Sequence, residues 1–210
     1  LSLLDKKQVT VYGAGRTDAG VHADAQVANF FLEREFDTVE LRDAINGNLD
    51  RDIRVTRAEL IDDSFDARFS AKWKTYRYQI WTGPVVSPFF YRYVYHHRRP
   101  LDLDEIRRAA AALVGEHDFS AFTVMDSEVR DHTRLLKRLD IHEQGSIISI
   151  EAEANGFLRY MVRTIVGTLM EVGRGRRDAE NVHRALRSLN RTEAGPTAPA
   201  AGLTLARVDY

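Results

Sequence analysis

The sequence predicts a soluble α+β protein, and three observations carry that prediction. Hydrophobic residues make up 44% and charged residues 29% of the 210-residue chain, a globular balance with ample material for a core. Residues 133–142 and 146–154 alternate apolar and polar side chains around Gln144-Gly145, the pattern of a β-hairpin. Residues 102–113 and 157–172 instead repeat apolar positions at helical spacing, as amphipathic helices do. No apolar run approaches the roughly 20 residues needed to cross a bilayer, and no signal peptide is visible. The chain has no cysteine. That leaves no disulfide framework and no Cys-based metal site, and it suits a cytoplasmic protein.

In chain order, residues 9–12 read as a strand, a Gly-rich loop follows, and residues 26–32 read as a second strand. A short helix is expected over residues 39–49, with Asn46-Gly47 as its stop signal. Residues 53–60 read as a strand in which Ile53 and Val55 alternate with polar neighbours. The segment 72–80 alternates strongly, with Tyr76, Tyr78 and Ile80 on one side. Those three are either ordinary core residues or include an aromatic that stacks on a base between cationic neighbours. Residues 83–88 form a turn-rich connector, and residues 91–97 are aromatic and basic. The pair His96-His97 invites a metal, but adjacent strand residues point to opposite faces and no third ligand is near. Capping or RNA contact is the expected role.

Asp102 begins a helix with Glu105 at the capping-box position. Ile106, Ala109, Ala110 and Leu113 form its inward stripe, and Gly115 ends it. Residues 115–122 contain His117, Asp118 and Ser120, yet no nucleophile elbow accompanies them. The segment reads as structural rather than as a hydrolase triad. Asn155-Gly156 opens the helix over 157–172, whose stripe is Met161, Ile165 and Leu169. Arg159 and Arg163 lie four apart on a common flank, and Arg163 sits near Gly167, where close packing is possible. Residues 173–177 form a basic loop. Asp178 caps a final helix with Val182, Leu186 and Leu189 inward. A loop and a closing strand follow, with Leu205 and Val208 in the core.

A net charge of −1 argues weakly against a nucleic-acid binder, whose usual footprint is strongly basic. The distribution says more than the sum. Acids gather over residues 33–66. Bases gather over residues 68–77, 96–99, 130–138 and 159–191. Each cluster alone reads as solvated surface, but several folded onto one face would give a basic groove for an RNA backbone.

The chemistry concentrates in residues 12–23, YGAGRTDAGVHA. Gly13, Gly15 and Gly20 bracket Arg16 and Asp18, and glycine permits positive φ and close ligand approach. The spacing is not the dinucleotide fingerprint, because Asp18 stands where the third glycine belongs. It is not a phosphate-binding P-loop either, because no Lys-Ser or Lys-Thr follows. A central carboxylate would repel phosphate, so the loop is built to offer an acid.

Gly15-Arg16-Thr17-Asp18-Ala19-Gly20-Val21-His22-Ala23, followed by Gln26-Val27, resembles the signature of the TruA family of tRNA pseudouridine synthases. Three further stretches resemble that family's later motifs in the same order: residues 72–80, 157–167 and 197–205. Residues 115–122 are also similar to a family segment. The resemblance implies an α+β fold of two antiparallel-sheet subdomains with helices on the outer faces and a cleft between them. Residues 1–70 would form the first and residues 71–210 the second. Family members carry a Tyr-Asp-Gly-like strand and a helix ahead of this point. Leu1–Gln8 holds neither, so the first subdomain is expected to lack them.

The resemblance also implies the roles. Asp18 is the catalytic aspartate and Arg163 its partner. Arg16 displaces the target base, Tyr76 lines the uracil pocket and stands as a candidate base, and Leu203 packs on the uracil. The implied reaction breaks the N1–C1′ bond of a tRNA anticodon-arm uridine and rejoins the base through C5. It is a redox-neutral isomerisation that needs no cofactor and no metal. The expected partners are tRNA and a second copy of the chain, with no membrane. Asp18 must be ionised to attack C1′ or C6, a choice that stays open, and a neighbouring arginine favours that form. Two rival classes remain distinguishable: a non-catalytic RNA-binding module, and a phosphate-handling enzyme protected by ATP or NAD.

Overall fold

The computed structural model describes residues 1–124 and 129–210. In chain order they form α1 (Ser2–Asp5), β1 (Tyr12–Gly13), β2 (His22–Ala23), β3 (Ala28–Asn29) and α2 (Thr38–Asn48). Then come β4 (Trp73–Trp81), β5 (Tyr95–His96), α3 (Leu103–Ala111), β6 (Gly115–Asp118), β7 (Thr133–Gln144) and β8 (Ile147–Ala154). The chain closes with α4 (Met161–Gly173), α5 (Glu180–Ser188) and β9 (Leu203–Asp209). They fall into two compact units: residues 1–15 with 27–70, and residues 16–26 with 71–210. The acid-bearing loop therefore sits with the longer, C-terminal part of the chain.

In the first unit, β1 pairs antiparallel with β3, Tyr12 opposite Asn29. The expected strands over 9–12 and 26–32 shrink to these two-residue pieces, because each has a single partner and pairing lasts only where the two meet. Asn29 does more than pair. Its side-chain amide donates to the Phe65 carbonyl at 3.2 Å and accepts from the Ala67 N–H at 2.9 Å. Asp37 caps α2 by accepting from the N–H groups of Val39 and Glu40, which satisfies two orphan donors of the first turn. The helix runs through Asn46-Gly47 instead of stopping there. Asn46 is turned to another use: its amide donates to the Val55 carbonyl and accepts from the Val55 N–H, each at 2.8 Å. Residues 53–60 form no strand. Alternation alone gave that segment a strand-like look, but a side chain rather than a neighbouring strand takes up its backbone groups at Val55.

The second unit holds a seven-stranded sheet of order β2-β9-β4-β8-β7-β6, with β5 joined to β4. Two of its pairings, β2 with β9 and β4 with β5, are parallel, so the sheet is mixed rather than purely antiparallel. The hairpin β7–β8 turns at Gly145, whose φ of +57° lies in the left-handed region. Tyr78, Ile80, Leu136 and Ile150 are fully buried and belong to one core with Met161, Ile165 and Leu169 of α4. Burying each such side chain contributes about 1.5–3 kcal/mol.

Asp102 caps α3 by accepting from the N–H groups of Asp104 and Glu105. The reciprocal half of a capping box is absent: the Asp102 N–H donates to the Gly173 carbonyl at 2.8 Å, while Glu105 pairs with Arg108. α3 ends at Ala111, before Gly115, whose φ of +121° opens β6 instead. α4 starts at Met161, later than residue 157, because Tyr160 takes a left-handed φ of +62°. Arg159 therefore lies outside the helix and does not share a flank with Arg163. Asp178 does not cap α5 through its side chain; its carboxylate pairs with Arg184 at 2.9 Å. Val182 and Ala185 face inward, Leu186 is partly buried, and Leu189 is exposed at a left-handed C-cap. Leu205 is buried as expected, while Val208 is only partly so. Among the described residues no helix is long and apolar enough to cross a membrane.

Candidate active site

Every residue of α4 is buried except Arg163 and Glu171, as befits a helix apolar on all sides. Its two charges sit at the wrong ends for the helix dipole: an arginine in the first turn and a glutamate in the last. Each is held by specific partners instead. Glu171 accepts from Arg174 at 2.8 Å and from Arg176 at 3.4 Å. Arg163 donates through Nη1 to Asp18 Oδ2 at 2.8 Å and through Nε to the Ala198 carbonyl at 2.8 Å. Its guanidinium also lies 5.0 Å from the ring centre of Tyr160, a cation–π contact.

The carbonyl that orients Arg163 is itself fixed by packing. The Ala198 N–H donates to the Arg163 carbonyl at 3.0 Å, so residues 163 and 198 exchange two bonds. One turn along, Gly167 lets the backbone of Pro196 pass closely: a Cβ there would stand 1.7 Å from the Pro196 carbonyl oxygen. Thr168 Oγ1 donates to the Thr164 carbonyl and accepts from the Gly195 N–H, both at 2.8 Å. The close packing expected at Gly167 is thus what lays residues 195–198 against α4.

Asp18 arrives from the other end of the chain. The Val21 N–H donates to the Asp18 carbonyl at 3.0 Å, and β2 then pairs with β9, His22 opposite Thr204. Among the glycines of the loop only Gly20 adopts a positive φ, +80°, close against Ala200. The Asp18 side chain is 25% exposed and that of Arg163 is 15% exposed, so the pair is half-sheltered yet open to solvent. Partial shelter strengthens the attraction relative to a surface pair.

Tyr76 lies on β4 beside this pair. Burial, and secondarily the negative charge of Asp18, push its phenol up to about 12. Its ring meets Phe157 edge-on at 5.0 Å between centroids. Tyr78, two residues on, is fully buried and donates its hydroxyl to the Pro199 carbonyl at 2.8 Å; its phenol is pushed up too, mainly by burial. Leu203 is buried, but the register sets it opposite Tyr78 and sets Leu205 opposite Tyr76. Arg16 projects an exposed guanidinium that makes no ion pair among the described residues.

The structure thus brings Asp18, Arg163 and Tyr76 together and leaves Arg16 free on the same loop. Sequence reasoning missed three contributors: the Ala198 carbonyl, the Tyr160 ring beneath the guanidinium, and Phe157 against Tyr76. Both aromatics lie in the stretch that carries Arg163, so their types were visible; their contacts depend on the left-handed turn at Tyr160. Elsewhere, Ser120 bonds Asp118 at 2.5 Å and His132 at 2.8 Å. The hydroxyl lies between acid and imidazole, whereas a triad needs the imidazole in the middle. Among the described residues no group of His, Cys, Asp and Glu is arranged to hold a metal.

Residues 109–210 match the family model described as tRNA pseudouridine synthase. A protein of Limosilactobacillus reuteri is 42% identical over 204 residues, covering 96% of this chain and 80% of the relative. One of a Thermoanaerobacter species is 44% identical over 204 residues, covering 97% and 84%. One of Brevibacillus brevis is 41% identical over 210 residues, covering 100% and 86%. All three are named tRNA pseudouridine synthase A. Identity of this order along nearly the whole chain, on a mixed α+β fold with a paired acid, defines the class as a pseudouridine synthase. The chain belongs to the tRNA pseudouridine synthase family.

Proposed function

We propose that this chain isomerises uridine to pseudouridine in the anticodon stem-loop of cytoplasmic tRNA, with Asp18 as nucleophile and two copies gripping one tRNA. The observation that carries the reading is the bond between Arg163 Nη1 and Asp18 Oδ2 at 2.8 Å, beside the sheltered ring of Tyr76. A carboxylate bonded to a planar guanidinium is held in one orientation. That is what a nucleophile needs to attack C1′ or C6 of the target nucleotide. The N1–C1′ bond breaks, C5 joins C1′, C5 loses its proton and N1 gains one, so atoms and electrons balance without a redox partner.

The target base lies in a folded RNA and must be extruded at a cost of a few kcal/mol. Arg16 fills the vacated space and meets the backbone phosphate, so displacement and chemistry share one short loop. Tyr76 stacks on the uracil as a neutral phenol. A hydroxyl whose pKa stands at about 12 is almost wholly protonated at neutral pH, which weighs against Tyr76 as the base that takes the C5 proton. Leu203 helps close the pocket against water.

The test is tritium release from tRNA carrying [5-³H]uridine. Asp18→Asn should abolish release while leaving tRNA binding and the thermal melt near those of the parent chain. Full release by Asp18→Asn would sink the nucleophile assignment. Mapping pseudouridine by reverse-transcription stops should place the product in the anticodon arm, and light scattering should give a dimer.

A further inference from the structure

One stretch of the second unit has no part in the chemistry above. Residues 83–101 contain no Asp or Glu but include three exposed arginines, Arg92, Arg98 and Arg99, in a chain whose net charge is −1. Large rings in the same stretch stand in solvent: Phe89 is 85% exposed, Tyr91 53% and Tyr93 49%. Exposed apolar and aromatic surface concentrated in this way marks an interaction site.

The stretch is pinned, not slack. The Ser87 carbonyl accepts from the N–H groups of Phe90 at 2.9 Å and Tyr91 at 3.1 Å, and the Tyr93 N–H donates to the Phe90 carbonyl at 2.8 Å. The Trp81 indole donates to the Val85 carbonyl at 3.0 Å and stacks on Phe90 at 6.4 Å, 12° from parallel. Val94 is buried behind them. At its far end the strap is tied to the acid-bearing loop. His22 Nε2 lies 2.8 Å from the Arg92 carbonyl, and the His22 and Tyr93 rings meet at 4.8 Å. His22 follows Asp18 by four residues. On the open side, Arg92 Nε donates to the Tyr91 hydroxyl at 2.9 Å, and its guanidinium lies 5.6 Å from that ring's centre.

We propose that this strap is a second contact surface for the RNA substrate, on which unpaired nucleotides near the target stack against Phe89, Tyr91 and Arg92. The inference rests on the reading that the substrate is tRNA. Nucleobases stack on aromatic rings and guanidinium planes, and the strap offers both, already ordered. Its lack of acids lets a polyanion approach without repulsion. A second copy of the chain, docked through this same patch about a two-fold axis, would set cations against cations. The tie through His22 gives the surface its use: a nucleotide seated on the strap is held in register with the loop that carries Asp18.

Equilibrium binding of unmodified tRNA across a salt series, with light scattering on the same samples, tests the proposal on the full chain. Tyr91→Ala should weaken binding about 5- to 100-fold, and Tyr91→Phe should keep most of the affinity. Arg92→Gln should weaken binding and lower the slope of log affinity against log salt by roughly one. Binding by Tyr91→Ala and Arg92→Gln within about twofold of the parent would overturn it. So would a loss that tracks dissociation of a dimer and vanishes when raised protein concentration restores that dimer, since the strap would then join copies of the chain. The two readings separate cleanly. If Asp18→Asn still releases tritium but Tyr91→Ala binds weakly, the nucleophile assignment fails and the surface stands; the opposite pattern removes the surface alone.

Discussion

Replacing Gly167 by alanine should damage both the fold and the site, through one clash. The added Cβ would stand 1.7 Å from the Pro196 carbonyl oxygen and 2.8 Å from its carbon. Ordinary contact begins near 3.4 Å, so the backbone of residues 195–198 must retreat by roughly 2 Å or α4 must move. Neither is a flexible side-chain tip. Overpacking costs about 1–3 kcal/mol where side chains can adjust, so a backbone clash belongs at the upper end, about 3 kcal/mol. For a chain of this size that lowers Tm by about 6–12 °C. The same retreat pulls the Ala198 carbonyl off Arg163 Nε, and a displacement of ~1 Å at a reacting constellation costs about 100-fold in rate. Thermal melts and single-turnover tritium release on Gly167→Ala check both figures. Gly47→Ala is the control, because a Cβ there meets nothing within 4 Å and lies in the last turn of α2, where alanine should leave the melt unchanged or slightly raised. If Gly167→Ala melts within about 2 °C of the parent and turns over normally, the account of how Arg163 is held is wrong.

Arg163→Lys keeps a positive charge but loses the planar fork whose Nε and Nη1 reach Ala198 and Asp18 separately; kcat should fall about 100-fold with little change in tRNA affinity, as measured by single-turnover kinetics beside binding. The Tyr76 phenol, raised from its usual 10 to about 12, contributes stability that is whole below pH 10 and lost as pH rises towards 12. Melts from pH 9 to 12 should therefore fall more steeply for the parent than for Tyr76→Phe, a comparison that cancels the parallel effect of Tyr78. Glu153 is buried between Lys137 at 2.6 Å and Arg138 at 2.8 Å. Their hydrogen bonds, that of Lys137 first, hold its carboxyl below the usual carboxylate range. A depressed folded pKa contributes stability above the unfolded value that is lost as pH falls through the folded one. The stability gap between the parent and Glu153→Gln should thus shrink from pH 7 to pH 3 in urea titrations.

What could be read in advance follows a physical division. β4, the β7–β8 hairpin and α3 were legible because each divides its side chains between core and solvent, and that division is written in residue type. Residues 9–12, 26–32 and 53–60 alternate too, but a strand needs a partner, and alternation does not say whether one exists. The parallel pairing of β2 with β9 was invisible for the same reason. In the site, the types of Asp18, Arg163 and Tyr76 and their motifs could be read, and the structure sets the first two 2.8 Å apart. The Ala198 carbonyl could not be read, because every residue owns a carbonyl and only position makes one useful. Nor could the left-handed turn at Tyr160, since nothing about a tyrosine announces a positive φ.

The pairing of β2 with β9 joins two segments that lie far apart along the chain and so leave the ribosome at different times. Nascent chains emerge N-terminus first, and contacts between distant segments form late. A polypeptide halted before its closing strand would carry the acid and later its guanidinium, yet lack the rail that seats one beside the other. The seating of that pair is therefore withheld until β9 has been made.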